Sequence, residues 1–487
     1  MKLIDLMQNA DILHWMGDRD MEIQGVAYDS RRIEQDFVFV CIQGMKADGH
    51  DFIQQAIEKG AKAIVVEKDV EVHPSIAVVK VPNGRKALSQ IGANFYGNPS
   101  AQMDIIGVTG TNGKTTVTHW IKQILETNGT NSGLIGTLSY KILDKEYKAS
   151  NTTPESLELH RLFREMLDFR VDTCTMEVSS HSLELDRVAH VHFNVGVFTN
   201  LTPDHMDFHG NIENYRKAKT KLFYQTTLGN VINIDDLYGQ QIADEIKRLD
   251  ARLITYGISE KADIYAKDIQ ISPKGTIYHL VAPEFEGKIR INIPGMFSVY
   301  NSLAAIGACY ALGYGFEEIK KGVENFKGVP GRFELVEDTK DMTIVVDYAH
   351  TPDALENVLK TIQGFCTGKI ITVFGCGGDR DKKKRPMMGE IAGRLSDYCV
   401  ITSDNPRTED PQAILNDIEV GIKGTDCKYK MILDRKEAIR EAIRMGRPED
   451  IILIAGKGHE TYQIIGEQVF DFDDKKIAQE ILREEIK

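Results

Sequence analysis

The segment at residues 107–116, GVTGTNGKTT, restricts the fold of this chain more than any other part of the sequence. It follows the apolar run DIIGV and precedes VTHWIKQILETNG, whose apolar residues recur at the spacing of an amphipathic helix. Glycines let a backbone wrap closely around an anion, and the N–H groups of such a loop and of the following helix can cradle phosphate oxygens. The pattern therefore predicts a strand, a phosphate-binding loop and a helix, which open a nucleotide-binding parallel sheet.

Within this loop, Lys114 can neutralise charge on the β- and γ-phosphates of ATP, and the hydroxyl of Thr115 can reach Mg²⁺. A glycine-rich turn without a ligand is the alternative, but a lysine and a threonine in register disfavour it. The first glycine lies one residue too far from the lysine for the strict P-loop spacing. The residues expected to bind ATP here are Gly110, Thr111, Asn112, Gly113, Lys114, Thr115 and Thr116.

Length and strand signals predict three domains, since 487 residues exceed what one hydrophobic core usually organises. Residues 1–98 contain the strand-like runs VFVCI, AIVVE and AVVKV. Residues 99–331 hold the phosphate loop and further buried-strand candidates, CTMEVS, VGVFTNL and VINID. Residues 332–487 alternate TIVVD, KIITVFG, YCVITSD and IILIAG with helical stretches, as in another open parallel sheet. The predicted fold class is α/β throughout.

Charge and cysteine usage exclude several classes of protein. The 59 basic and 72 acidic residues give a formal net charge of -13, which disfavours a general affinity for nucleic acid or anionic membranes. No apolar run approaches the roughly 18 residues of a spanning helix, and no basic leader precedes one. The seven cysteines form no CxxC pair, which fits a reducing compartment. We expect a cytoplasmic monomer with no nucleic-acid partner and no membrane insertion.

Two polar segments follow apolar runs in the middle of the chain. In MEVSSH, Glu177 stands at a strand end, where a carboxylate can hold Mg²⁺, although a surface acid is the alternative. The segment TPDHMDFHG is too rich in acid and imidazole for a routine turn. His205 is therefore a candidate ligand of a second metal ion, with Asp204 or Asp207 as polar support.

Motifs along essentially the whole chain resemble those of the Mur ligase family, in the expected order. They are GVTGTNGKTT, NTTPE, MEVSSHSL, FTNLTPDHMDFHG, AKTKLF, PGMFSVYNSLAA, GVPGRFE, VDYAHTPD, FGCGGDRDKKKRP, SDNPRTEDP and GKGHE. Near the start, DSRR and GMKADGHDF resemble the nucleotide-sugar-binding part of such enzymes. The resemblance implies a small N-terminal domain that binds a UDP-sugar, a central P-loop-type ATPase domain and a C-terminal Rossmann-like domain that binds an amino acid.

The resemblance also assigns roles to residues that spacing alone leaves unremarkable. It implies that Lys219, otherwise a solvated helical lysine, is N-carboxylated, so that a carbamate anion joins Glu177 and His205 around Mg²⁺. The implied catalytic residues are Lys114, Glu177, His205 and Lys219, and the implied metal ligands are Thr115, Glu177, His205 and Lys219. The ATP site gains Asn301, Arg332, Asp347 and His350. The UDP-muramoyl-peptide is expected to contact Ser30, Thr152, Thr153, Ser179 and Arg187.

The DNPR segment (Asp404, Asn405, Pro406 and Arg407) resembles the members of the family that add diaminopimelate. Arg407 can form a bidentate pair with the distal carboxylate of that amino acid. Lysine lacks this carboxylate and would leave the arginine unpaired, a loss on the order of 2–5 kcal/mol. By similarity Arg380, Gly456 and Glu460 complete the pocket, with Glu460 at the distal ammonium. For DNPR alone, a proline turn on a surface loop is the alternative.

The resemblance implies an ATP-dependent ligase of peptidoglycan precursor synthesis. It would activate UDP-N-acetylmuramoyl-L-alanyl-D-glutamate as an acyl phosphate and couple it to meso-diaminopimelate, so that its partners are small molecules. The alternatives are the same ligase adding L-lysine, a ligase like folylpolyglutamate synthetase, and a P-loop switch that uses nucleotide to control a partner. The base that deprotonates the amine stays open among His205, His209 and His350.

Overall fold

A computed structural model describes residues 1–44, 47–337 and 342–485 of the chain. Met45 and Lys46, which belong to the GMKADGHDF segment, lie outside the described residues. The described chain divides into two compact units, the first made of Met1–Tyr265, Val281–Phe285 and Asn301–Gly322, the second of Ala266–Leu280, Glu286–Tyr300 and the residues from Val323 onward. The division into three domains inferred from the sequence stays a prediction.

A five-stranded sheet occupies the N-terminal part of the first unit. Its strands are β1 His14–Met16, β2 Gly25–Ala27, β3 Phe37–Val40, β4 Ala61–Val66 and β5 Ala77–Lys80, and its helices are α1 Leu3–Leu6, α2 Ile53–Glu58 and α3 Gly84–Phe95. The order is β1-β5-β4-β3-β2, with β1 antiparallel to β5 and the other pairs parallel. The three apolar runs predicted as strands are confirmed as β3, β4 and β5.

A second, larger sheet follows in the same unit. The strands are β6 Asp104–Thr109, β7 Ser132–Ile135, β8 Ser139–Ile142, β9 Lys145–Lys148, β10 Thr173–Glu177, β11 Phe193–Phe198, β12 Thr226–Asn233 and β13 Arg252–Gly257. The helices are α4 Lys114–Thr127, α5 Ser156–Asp168, α6 Ser180–Glu184, α7 Met206–His209, α8 Ile212–Thr220 and α9 Leu237–Ile246. The order is β13-β12-β11-β6-β10-β7-β8-β9, parallel from β13 to β7 and antiparallel beyond.

The position of β6 explains where a site forms. This strand pairs with β10 on one side and β11 on the other, and all three run in the same direction. Their carboxyl ends therefore meet at one edge of the sheet, where open α/β folds bind ligands. Helix α4 packs on the sheet through Val117, Ile121, Ile124 and Leu125, which are buried at helical spacing.

Three strands and two helices connect this sheet to the C-terminal part of the chain. They are β14 Ile264–Ser272, β15 Gly275–Ala282, β16 Phe285–Ile291, α10 Met296–Ala311 and α11 Phe316–Asn325. Strand β14 pairs with β13 in parallel at Ile264 and Tyr265, so these strands continue the larger sheet in the order β16-β15-β14-β13. In α10, the residues from Asn301 onward belong to the first unit.

The rest of the second unit is built on a six-stranded sheet. The strands are β17 Glu334–Leu335, β18 Thr343–Asp347, β19 Ile370–Phe374, β20 Tyr398–Thr402, β21 Lys428–Ile432 and β22 Ile451–Ala455, with a hairpin of β23 Tyr462–Ile465 and β24 Gln468–Asp471. The helices are α12 Pro352–Gln363, α13 Lys384–Leu395, α14 Pro411–Ile422, α15 Arg435–Met445 and α16 Asp474–Glu485. The sheet order is β17-β18-β22-β19-β20-β21, and only β17 is antiparallel among these strands. The four strands predicted from the sequence are confirmed as β18, β19, β20 and β22.

Among the described helices, not one combines the length and the apolar character that crossing a membrane requires.

Candidate functional site

Two glycines determine the backbone path of the phosphate loop between β6 and α4. Gly110 has φ 145° and Gly113 has φ 88°, backbone conformations that side chains rarely tolerate. A Cβ atom on Gly110 would lie 1.9 Å from Thr199 Oγ1, and one on Gly113 would lie 2.4 Å from Asn301 Oδ1. The loop therefore packs closely against the end of β11 and against α10. This packing places Asn301 beside the loop, which fits its predicted role in ATP binding.

Hydrogen bonds from the residues after β11 hold the loop in place. The amide N–H of Thr111 donates to the carbonyl oxygen of Asn200 at 2.8 Å, and that of Asn112 donates to Asn200 Oδ1 at 3.0 Å. Thr199 Oγ1 donates to the carbonyl oxygen of Asn112 at 2.6 Å. Sequence reasoning missed Thr199 and Asn200, although both stand in the quoted FTNL segment.

Two lysines share one backbone acceptor behind the loop. Lys114 Nζ donates to the carbonyl oxygens of Gly110 and Thr111 at 2.9 and 2.8 Å, and Lys219 Nζ donates to the same Gly110 oxygen at 2.7 Å. Lys219 lies on α8 with 1% of its surface exposed. Burial, followed by the nearby charge of Lys114, lowers the pKa of Lys219 well below its usual value. The uncharged amine so favoured is the form that can react with carbon dioxide, which fits the expected carbamate.

Glu177 ends β10 and receives three hydrogen bonds from hydroxyl and amide groups. Thr115 Oγ1 donates to Oε1 at 3.0 Å, the amide of Thr137 donates to the same oxygen at 2.8 Å, and Thr137 Oγ1 donates to Oε2 at 3.1 Å. A nearly fully buried carboxylate beside a threonine hydroxyl is a set of hard oxygen donors, which fits Mg²⁺. Thr137 carries part of this arrangement and was not predicted.

His205 lies in a cluster of aromatic and imidazole rings. It has φ 55°, its Nε2 is 3.5 Å from Asp204 Oδ2, and its ring centroid is 4.8 Å from that of His181. Burial and the neighbouring His205 and His209 lower the pKa of His181 to about 4. In the part of the chain that the structure describes, no three or more His, Cys, Asp and Glu side chains form a metal-binding group. The predicted ligand set contains only two such residues, Glu177 and His205.

Tyr215 links the histidine cluster to the phosphate loop. Its ring centroid lies 6.2 Å from that of His205 and 4.4 Å from Lys219 Nζ, and its hydroxyl is 3.3 Å from Thr111 Oγ1. The same side chain thus touches three of the predicted elements of the site. Sequence reasoning missed it, because a tyrosine in a helical stretch carries no signal of its own.

Four of the five residues predicted to bind the muramoyl-peptide lie together beside Glu177; they are Thr152, Thr153, Ser179 and Arg187. Thr153 is central: its hydroxyl donates to the carbonyl oxygen of Glu177 at 2.8 Å and accepts from the amide of Ser179 at 3.1 Å. Arg187 Nη1 donates to the carbonyl oxygen of Thr153 at 3.1 Å. Thr152 Oγ1 lies 3.1 Å from Thr137 Oγ1.

Ser30, the fifth predicted residue, lies in the N-terminal sheet region. It begins a short 3-10 helix, Ser30–Arg32, which the carboxylate of Asp29 caps. The hydroxyl of Ser30 donates to Gln55 Oε1 at 2.7 Å. The side chain of Ser30 therefore faces α2.

The second unit brings three predicted ATP-binding residues together around Tyr348. Asp347 ends β18, and its carboxylate accepts from the amides of Phe333 and Ala349 at 2.7 and 2.9 Å. Burial raises the pKa of Asp347, although Arg332 opposes this shift. The guanidinium of Arg332 is 4.9 Å from the ring centroid of Tyr348, and His350 Nδ1 is 2.8 Å from the Tyr348 carbonyl oxygen. Burial lowers the pKa of His350.

The DNPR segment follows β20 and lies against the loop after β22. Asn405 Nδ2 donates to Glu460 Oε2 at 2.8 Å, and Arg407 Nη1 donates to the carbonyl oxygen of Gly378 at 2.7 Å. A Cβ atom on Gly456 would lie 2.7 Å from Asp404 Oδ2. Residues predicted for the pocket are thus neighbours across the two loops, where Asn405 contacts Glu460 and Asp404 lies beside Gly456.

Gly377 separates the two arginines predicted for this pocket. A Cβ atom there would lie 3.0 Å from Arg407 Nη1 and 3.9 Å from Arg380 Cγ. Arg380 is exposed, and Pro406 is buried with its carbonyl oxygen 1.8 Å from the place of a Cβ on Gly378. A side chain at Gly377 would therefore crowd the guanidinium of Arg407, and one at Gly378 would collide with the backbone of Pro406.

Lys457 is a member of this cluster that sequence reasoning missed. It is fully buried, and its Nζ is 3.3 Å from Glu460 Oε2 and 3.5 Å from Asn405 Oδ1. The GKGHE motif contains it, but only the glycine and the glutamate of that motif were assigned. The available signal was a lysine two residues after the fully apolar strand β22, where an unpaired charge is rare.

Comparisons with known proteins agree along the whole chain. The sequence matches the Mur ligase family, catalytic domain, at residues 22–96, the Mur ligase middle domain at 108–309 and the Mur ligase, glutamate ligase domain, at 331–458. It is 52% identical over 485 residues to UDP-N-acetylmuramoyl-L-alanyl-D-glutamate--2,6-diaminopimelate ligase of Alkaliphilus metalliredigens, covering 100% of this chain and 98% of that protein. The protein of the same name from Clostridioides difficile is 51% identical over 482 residues, covering 99% of each chain.

Solved structures agree with the sequence matches. A structure of UDP-N-acetylmuramoyl-L-alanyl-D-glutamate--2,6-diaminopimelate ligase is 30% identical with a TM-score of 0.76, and the match covers 100% of this chain and 99% of that one. MurF ligase from Thermotoga maritima in complex with ADP shares the fold at 18% identity and a TM-score of 0.60, covering 96% and 99% of the two chains.

Proposed function

The chain belongs to the Mur ligase family, and we propose that it is an ATP-dependent ligase that adds meso-diaminopimelate to UDP-N-acetylmuramoyl-L-alanyl-D-glutamate. The observation that supports the choice of amino acid is the hydrogen bond from Asn405, two residues before Arg407 in the DNPR segment, to Glu460. One end of diaminopimelate bears a carboxylate and an ammonium, and this cluster offers one cation and one anion. L-lysine has only the ammonium there.

The first chemical step forms an acyl phosphate. The γ-phosphoryl group of ATP passes to an oxygen of the D-glutamyl carboxylate, and ADP leaves. The phosphate loop at residues 110–116 would hold the nucleotide phosphates, and Lys114, whose Nζ lies against the carbonyl of Gly110, would offset their charge. Asn301 supports the loop from α10, and Arg332, Asp347 and His350 would complete the ATP site.

In the second step the amine of diaminopimelate attacks the acyl carbon. The bond from that carbon to the phosphate oxygen breaks, inorganic phosphate leaves, and the nitrogen loses a proton. Thr152, Thr153, Ser179 and Arg187 would orient the muramoyl-peptide beside Glu177, so that positioning supplies most of the rate enhancement.

Thr115, Glu177, His205 and a carboxylated Lys219 would hold Mg²⁺. When bound, the ion supplies positive charge that stabilises the anionic transition states of both steps. The oxygen donors of Thr115 and Glu177 support this assignment, as does the burial of Lys219, which lowers its pKa.

We further propose that residues 1–98, 99–331 and 332–487 are the UDP-sugar, ATP and amino-acid domains of a cytoplasmic monomer. Seven cysteines without a disulfide support a reducing compartment. All the proposed partners are small molecules: ATP, the UDP-muramoyl-dipeptide and diaminopimelate. Size-exclusion chromatography with light scattering measures the oligomeric state directly.

The decisive experiment measures phosphate release from ATP with UDP-N-acetylmuramoyl-L-alanyl-D-glutamate while only the amino acid changes. We expect meso-diaminopimelate to support turnover, and L-lysine to be at least about thirtyfold poorer in kcat/KM, because it leaves Arg407 without a partner. Equal turnover with lysine would show the assignment of Arg407 to be wrong. ATP hydrolysis that does not depend on any amino acid would instead favour a nucleotide switch. Activity only with folate and glutamate would favour a folylpolyglutamate synthetase.

A further inference from the structure

Lys457 stands at the centre of the amino-acid pocket without an assigned role. Its Nζ donates to Glu460 Oε2 at 3.3 Å, to Asn405 Oδ1 at 3.5 Å and to the carbonyl oxygen of Tyr462. Asn405 closes the triangle, because its Nδ2 donates to the same Glu460 Oε2 at 2.8 Å. A single ammonium thus contacts both partners of a side-chain pair that the proposed substrate must meet.

Further hydrogen bonds connect the DNPR segment to the hairpin strand β23 around this cluster. Gln463 Nε2 donates to the carbonyl oxygen of Asp404 at 2.7 Å, and the amide of Ile464 donates to Asn405 Oδ1 at 2.9 Å. The amide of Arg407 donates to the Ile464 carbonyl at 3.1 Å, and the Gly466 amide donates to the Arg407 carbonyl at 2.7 Å. The hairpin strand β23 therefore runs beside the DNPR segment. Lys457 is hydrogen-bonded to the carbonyl oxygen of Tyr462, the first residue of that strand.

Among the described residues, Lys457 and Asn405 hold the carboxylate of Glu460 through one of its two oxygens. Both of its contacts with Lys457 and Asn405 use Oε2, and 15% of the Glu460 side chain remains exposed. A carboxylate so enclosed needs a charged or hydrogen-bonding partner to stay in one place. Lys457 provides that partner from the buried side and leaves the other side for a ligand.

We propose that Lys457 is a positioning residue for amino-acid recognition, which fixes the carboxylate of Glu460 and the amide of Asn405 so that they receive the distal ammonium of the incoming amino acid. This role rests on the proposed function, because it requires that Glu460 meets diaminopimelate. Lys457 acts from behind Glu460, so its loss should alter binding of the amino acid and leave nucleotide binding and chemistry largely intact.

The test compares Lys457→Gln, Glu460→Gln and the double variant by steady-state phosphate release with ATP, UDP-N-acetylmuramoyl-L-alanyl-D-glutamate and meso-diaminopimelate. For Lys457→Gln we expect KM for diaminopimelate to rise at least about tenfold, with KM for ATP and kcat changed by less than about threefold. If Lys457 acts through Glu460, the double variant should have the KM of Glu460→Gln alone, since the effects are not additive. Lys430→Gln, which breaks a surface ion pair with Glu441, is the matched control and should match the wild type.

Two results would overturn the proposal: an unchanged KM for diaminopimelate in Lys457→Gln, or a double variant whose KM shows the product of the two single effects. Should Lys457→Gln fold poorly, the double variant leaves no unpaired charge, and its KM must still equal that of Glu460→Gln. Wild-type enzyme without diaminopimelate-dependent phosphate release would refute the proposed function itself. Normal wild-type activity with either overturning result refutes only the role of Lys457.

Discussion

Two buried lysines, one in each unit, have opposite kinds of hydrogen-bond partner. Lys219, beside the phosphate loop, donates to the backbone carbonyl of Gly110 and lies over the ring of Tyr215. Lys457, in the amino-acid pocket, donates to the carboxylate of Glu460. Both side chains are almost fully buried, so the difference lies in their partners. Burial beside a neutral dipole favours an amine, whereas burial beside a carboxylate forms an ion pair.

This difference matches the ligands proposed for each region. Lys114 and Lys219 donate to the neutral carbonyl oxygens of Gly110 and Thr111, and the ligand proposed for this loop is a polyanion. The proposed amino-acid pocket contains Arg407, Lys457 and Glu460, and the amino acid proposed for it is a zwitterion.

The largest effect should follow from removing the amine of Lys219. We expect Lys219→Ala to lower kcat on the order of a thousandfold, because the carbamate that would stabilise developing charge cannot form. Small carboxylic acids added to the assay should restore part of the activity. The control is Lys221→Ala. Lys221 lies two residues after Lys219, is exposed and pairs with Glu184, so this variant should keep near-normal activity. Full activity of Lys219→Ala without additives would rule out the carbamate.

Removing the guanidinium of Arg407 should act on amino-acid choice. In Arg407→Gln we expect kcat/KM for meso-diaminopimelate to fall about thirtyfold or more, while the low value for L-lysine hardly changes, because only diaminopimelate loses a partner. Competition between the two amino acids measures the ratio. An equal fall for both would show that Arg407 acts on folding of the pocket and not on the distal carboxylate.

A side chain at Gly110 should disturb the carbonyl that both lysines contact. A Cβ there would lie 1.9 Å from Thr199 Oγ1 at a φ of 145°, so we expect Gly110→Ala to destabilise the fold by about 2–3 kcal/mol and to raise KM for ATP. Gly129→Ala is the control that separates backbone strain from steric collision. Gly129 also has a positive φ, 84°, but nothing lies within 4 Å of its Cβ position. Equal losses of stability in urea unfolding would contradict the steric explanation.

The smallest effect concerns His160, another buried group in the first unit. Burial, followed by the charges of His190 and His192, lowers the pKa of its imidazole from 6.5 to about 3. Between these values the unfolded chain binds a proton that the folded chain does not, so the stability contributed by the neutral ring is present above pH 6.5 and lost as pH falls towards 3. We expect His160→Phe to reduce the slope of the unfolding free energy against pH in this range by about 1 kcal/mol per pH unit.

Urea unfolding of wild type and His160→Phe at several pH values between 4 and 8 measures this difference. The exposed His73, changed to Phe, serves as the control and should leave the wild-type slope in place. Identical slopes for wild type and His160→Phe would show that the imidazole titrates as it does in the unfolded chain.

Contiguous signals were sufficient to predict the phosphate loop, the parallel strands and the polar residues at their ends. The strand β6, the glycines and Lys114 lie within a few residues of one another, so local spacing carries the information. Thr137 and Tyr215 were missed because their roles depend on which strands and helices become neighbours. Glu177 and Thr137 are 40 residues apart in sequence and meet only because β10 pairs with β7. The hairpin beside Arg407 was missed for the same reason.

The shared acceptor at Gly110 restricts how a carboxylated Lys219 could be oriented. A carbamate keeps one N–H on Nζ, but its two terminal oxygens only accept hydrogen bonds. The remaining N–H could still donate to the Gly110 carbonyl, while the terminal oxygens would have to face away from it, towards hydrogen-bond donors or a cation. One carbon dioxide molecule would thus add two acceptors to a side chain that otherwise only donates here.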